Sequence, residues 1–102
     1  MFTIAIQSSG AATKSVQLDR DCFFVGALGS GKTLVSQDPS QTATGFEGGS
    51  DKTAYNYIYY RGAATVTNTA PPIRFPLSAG ETIFVNFSAA AGIIMYFDDM
   101  AS

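Results

Sequence analysis

Histidine and tryptophan are missing from this 102-residue chain, cysteine occurs once, and only 14% of the residues are charged. Each shortage removes a class of chemistry. Without an imidazole base, a serine or cysteine nucleophile has no triad partner, so acyl-transfer catalysis of that kind is excluded. With Cys22 alone, no disulfide can close within the chain and no paired-cysteine metal site can be built. The six cations are scattered from Lys14 to Arg74 and the formal charge is -2. Nucleic acid binding requires a clustered basic footprint, which is lacking here. No apolar run approaches the roughly 18 residues of a membrane span. Residues 1–10 have neither the basic leader nor the cleavage site of a secretory signal, so the expectation is a chain translated in the cytoplasm without a signal peptide.

What is present is 46% hydrophobic residues, ten glycines and many small polar side chains. The length suits one domain with one core. Average soluble domains are about 25% charged, so the ionic surface is thin for a lone domain. Part of the exterior is therefore expected to be covered by another chain.

The apolar pattern is that of short strands. Phe2, Ile4 and Ile6 alternate with Thr3, Ala5 and Gln7, as a half-buried strand requires, and Val16 and Leu18 resume the alternation after a Ser/Gly/Ala turn. Residues 22–28 form a continuous apolar run suited to a central strand, with Cys22 inside it as a small buried hydrophobe. Thr33, Leu34 and Val35 follow a glycine-rich turn. Residues 36–53 read as a long polar loop with Phe46 tucked inward. Tyr55, Tyr57 and Tyr59 read as one face of a further strand, and a short strand is expected around Val66. Pro71, Pro72 and Pro76 force extended bends, and residues 81–88 and 93–97 give two more strands. Successive strands, the first and second, the third and fourth, and the last two, are expected to pair as hairpins. Together these indicate an all-β single domain: an antiparallel β-sandwich or small barrel, jelly-roll-like, of about 7–9 short strands.

One segment matches a catalytic motif in full. Residues 26–33 read G-x-x-x-x-G-K-T, the pattern of a phosphate-binding loop, with Gly26, Gly31, Lys32 and Thr33 as its defining positions. Such a loop needs a helix behind it, whose free amides and dipole hold the phosphate. The residues that follow are β-prone and then polar, and Asp38 precedes Pro39, so a chance match in a turn is the favoured reading. The acids Asp19, Asp21, Asp98 and Asp99 offer too few converging oxygens for calcium and read as solvated turn residues. Tyr55, Tyr57, Tyr59 and Phe46 are the candidate interface, since tyrosine suits protein contacts and sugar stacking alike. No catalytic residue, metal ligand or cofactor site is assigned.

The closing segment 76–88 (PLSAGETIFVNFS), then small residues and the strand 93–99, resembles the final strands of small tailed-bacteriophage virion proteins, and head decoration or cement proteins above all. The strand ending in SQDPS at 36–40 is similar in character. The resemblance implies a small β-rich domain, homo-oligomeric and often trimeric, that clamps neighbouring capsid subunits in the virion without enzymatic activity. Its partner would be a capsid or other virion protein, not nucleic acid or membrane. The alternative is a glycan- or receptor-binding module of a phage fibre or spike, and a nucleotide-binding protein is the minor one.

Overall fold

The structure is a computed structural model that describes residues 1–48, 57–62 and 74–100. These residues form eight strands and one short helix: β1 (Phe2–Ser8), β2 (Ala12–Gln17), β3 (Cys22–Ser30), β4 (Thr33–Ser36), α1 (Ala43–Gly48), β5 (Tyr57–Arg61), β6 (Phe75–Leu77), β7 (Thr82–Phe87) and β8 (Ala91–Asp99). The strands make two four-stranded sheets, sheet A in the order β1-β8-β3-β6 and sheet B in the order β2-β7-β4-β5. All pairings are antiparallel, and β4·β5, β3·β6, β2·β7 and β1·β8 nest one within the next. The chain is thus folded in half near the β4–β5 connection and rolled, with β3·β8 and β4·β7 closing each sheet. This is the strand order of a jelly roll, and the all-β sandwich read from the sequence is the fold that forms.

The alternation decides which side chains meet between the sheets. Phe2, Ile4 and Ile6 of β1, Ile93, Met95 and Phe97 of β8, and Ile83, Val85 and Phe87 of β7 all turn to one core. Phe97 sits at its centre, stacked on Phe2 at 5.0 Å and edge-on to Phe24 at 5.6 Å. Burial of each such side chain is worth about 1.5–3 kcal/mol, and these contacts hold the two sheets together. Cys22 is fully buried in the same core, and desolvation raises its thiol pKa, consistent with its reading as a hydrophobe.

Three expectations are corrected. The consecutive strands β1 and β2, β3 and β4, and β7 and β8 do not pair; each lies in the sheet opposite its neighbour in sequence. A strand with one apolar face buries it equally well beside its neighbour or across the core from it, and a Gly/Ser/Ala turn serves either geometry. The stretch read as loop contains α1, whose Phe46 is buried as expected. Pro76 does not bend the chain away but lies in edge strand β6, where its missing N–H costs no ladder bond. The strand expected near Val66 and the Pro71–Pro72 bend lie outside the described residues.

Candidate interaction surface

The phosphate-loop pattern folds as an arch between the two sheets. Residues 26–30 belong to β3, Gly31 and Lys32 make the turn, and Thr33 opens β4 rather than a helix. Gly31 has a φ of 76°, which favours glycine, and a side chain on Gly29 would stand 2.7 Å from the Gly92 carbonyl oxygen. Both glycines are therefore explained by the turn and by close strand packing. Lys32 Nζ lies 2.6 Å from Glu47 Oε1, and Thr33 is buried with its hydroxyl donating to the Gly31 carbonyl at 3.4 Å. The residues that would hold phosphate and metal are thus committed to contacts within the fold.

The tyrosines also depart from expectation. A bulge shifts the register between Val35 and Ser36, so that Ser36 opposes Tyr57 while Val35 opposes Tyr59. The odd-numbered tyrosines consequently do not share one face. Tyr59 turns into the main core, 6.1 Å from Phe24, and burial raises its hydroxyl pKa. Tyr57 and Tyr60 pack outside sheet B against Phe46, at 4.7 and 4.6 Å, in a small second core with Leu34 and Ala43. Phe46 and Tyr59 are both buried, and Tyr55 lies outside the described residues.

Helix α1 covers the β4–β5 half of that side. The Thr42 hydroxyl accepts from the Gly45 amide at 3.0 Å, which caps the first turn. The Asn86 carboxamide oxygen, from β7, accepts from the Ala43 amide at 2.8 Å, while its nitrogen donates to the Thr13 hydroxyl on β2 at 2.9 Å. Glu47 completes the attachment, accepting from the Tyr60 hydroxyl at 2.9 Å as well as pairing with Lys32. Burial and this carboxylate push the Tyr60 pKa up to about 12, so its hydroxyl stays a donor at neutral pH. Sequence reasoning missed the helix because Gly45 and Gly48 weaken its propensity; the Thr42 cap was the available signal.

The outer face of sheet A has no such cover among the described residues. Ala5, Ile94 and Leu28 are cross-strand neighbours in one row, and Leu28 and Ile94 remain 64% and 41% exposed. On one side of this row stand Thr3 and Tyr96, and on the other Gln7, Gly92 and Ser30. Gly29 and Gly92 floor a shallow depression beside the Leu28–Ile94 ridge. The run 22–28, expected to be buried on both faces, is therefore covered on one only. The single charge on the outward positions of these strands is Asp98, held 3.0 Å from Arg74, which also lies 4.5 Å over the Phe23 ring. Asp19 and Asp99 serve a second arginine, pairing with Arg20 at 2.9 and 3.3 Å, while Asp21 accepts from the Ala79 amide at 2.8 Å. No cluster of metal-ligating side chains occurs among the described residues, and no described helix is long and apolar enough to cross a membrane.

Comparison with protein-family models, curated proteins and solved structures finds no match.

Proposed function

We propose that this chain is a non-enzymatic structural module that docks on a protein lattice through the outer face of sheet A, as a capsid decoration or cement protein does. The carrying observation is the asymmetry of the sandwich. Sheet B's outer face is covered by α1 over β4 and β5 and tied at Asn86, and its open remainder on β2 is polar, whereas sheet A presents exposed, adjoining Leu28 and Ile94 in a nearly uncharged field. Contiguous apolar surface rimmed by polar side chains is what a protein partner desolvates. The likeness of residues 76–99 to head-decoration proteins supports a capsid as that partner. The glycan-binding alternative is less favoured on the tyrosine row, since Tyr59 is buried in this chain's own core and Tyr57 packs against Phe46.

The test is co-sedimentation with empty tailed-bacteriophage capsids assembled from purified major capsid protein. The wild-type chain is expected in the pellet at saturable stoichiometry, and Leu28→Lys and Ile94→Lys in the supernatant with unchanged circular dichroism. Equal pelleting of the folded lysine variants, or binding on a glycan array that tracks Tyr57, would overturn the reading.

A further inference from the structure

Each sheet ends in two edge strands, and edges that must stay monomeric carry devices against pairing. Three of the four described edges have one. β6 is three residues long with Pro76 at its centre. β2 carries Lys14 on its core-facing side, opposite Val85. β5 is broken in register by the bulge opposite Val35 and Ser36. β1 has none: seven residues, no proline, no charge, and unbroken pairing to β8 from Phe2 to Ser8. Its inward side chains, Phe2, Ile4 and Ile6, remain only half-buried, and an open seam beside it is lined by Phe2, Ile4, Gln17, Leu18, Asp19 and Arg20, the last lying 4.4 Å over the Phe2 ring at the strand's first residue.

The geometry points to β1 as a self-pairing edge whose occupant is the β1 of a second copy of this chain, antiparallel about a two-fold axis at Ala5. That register sets Phe2 opposite Ser8, Thr3 opposite Gln7, and Ile4 opposite Ile6 of the other chain. Every pair joins residues of the same parity, so core side remains core side and the two sheets A merge into one eight-stranded sheet. Ile4 and Ile6 then cover one another's exposed flanks. The charges are compatible: the strand end near Arg20, Asp19 and Asp99 meets the uncharged turn 8–12 of the partner copy, so no like charges are opposed. Antiparallel pairing consumes the edge, so assembly closes at two rather than three. This inference goes beyond lattice docking and does not depend on it, although it would set two Leu28–Ile94 faces side by side.

Sedimentation equilibrium of the full chain is expected to give twice the 10.7 kDa chain mass at high concentration. Ile6→Lys, which copies the Lys14 device, is expected to raise the dimer dissociation constant at least tenfold. Register is read by cross-linking with a short bis-maleimide, Cys22 being silent because it is fully buried. Ala5→Cys is expected to cross-link with itself. Thr3→Cys is expected to cross-link with Gln7→Cys in a mixture but not with itself, since two copies of residue 3 would stand about 13 Å apart. A monomer at all concentrations refutes the proposal. So does a dimer that cross-links through Leu28→Cys but not Ala5→Cys, which would mean stacked faces. The cysteine variants keep the test decisive if Ile6→Lys fails to fold. Lattice docking fails separately, when capsid pelleting is lost by a chain that still dimerises.

Discussion

Replacing Asn86 by alanine probes the attachment of α1 to the sandwich. Asn86 is only 9% exposed, and its carboxamide oxygen is the acceptor for the Ala43 amide, on a residue with no exposed surface. Alanine leaves that amide without this acceptor, and an unsatisfied buried donor costs about 1–3 kcal/mol. The Thr13 hydroxyl also loses its donor, but Thr13 is exposed and water replaces the bond at little cost. The expected loss is therefore about 2 kcal/mol, against about 5–15 kcal/mol of total stability for a chain this size. In urea the midpoint should fall with an unchanged slope, and Tm should drop by roughly 10 °C. Amide hydrogen exchange should also accelerate at Ala43, Gly45 and Phe46 more than at core residues such as Val85 or Met95. Thr13→Val is the control and should move Tm by much less. If Asn86→Ala melts within a degree or two of wild type, or exchange rises equally across the sandwich, the carboxamide does not hold the helix.

Three further outcomes are expected. Gly29→Ala sets a methyl 2.7 Å from the Gly92 carbonyl oxygen, so β3 or β8 must shift, and chemical denaturation should show a loss of about 1–3 kcal/mol. Tyr60 has a folded-state pKa near 12 against an ordinary value of 10.0; the fold favours its neutral form, so stability from this group is complete below pH 10 and falls as pH rises toward 12. Urea titrations across that range should show the decline, and Tyr60→Phe should reduce it, leaving the share of the buried Tyr59 hydroxyl, whose pKa is also raised. Cys22, buried with its thiol pKa raised, should react with a maleimide only as fast as the protein unfolds; prompt labelling of the folded chain would contradict its place in the core.

The strands were legible in the sequence because alternation reports which side chain faces inward; β1 follows it over its length and β8 from Gly92 onward, while β7 follows it to Val85, beyond which Asn86 is buried from outside by α1. Their partners were not legible. The turns at 9–11 and 88–90 have the composition of hairpin turns, yet they carry the chain across the core, and nothing within a dozen residues separates the two geometries. The tyrosine row misled for a similar reason: a bulge beside Ile58 changes the period locally, so Tyr57 and Tyr59 part company although their spacing in the sequence is two. The lysine and threonine of the phosphate-loop pattern could be doubted from the β-prone residues after them, but the engagement of Lys32 by Glu47 depends on a helix that the sequence reading did not contain. The bare face was only half visible. Low charge implied a covered surface, while its location on sheet A required knowing which side α1 occupies.

The nested order of the strand pairs has a consequence for how the molecule reaches its native state. If β4 and β5 meet first, each later pair starts from ends already brought together, so the loop to be closed at every step stays short although Phe2 finally faces Phe97 across nearly the whole chain. Formation would then run outward from the middle, with β1 the last strand to be laid down and the first to peel away. The edge that would recruit a second copy is thus the part of the chain whose folding a neighbour can most directly complete.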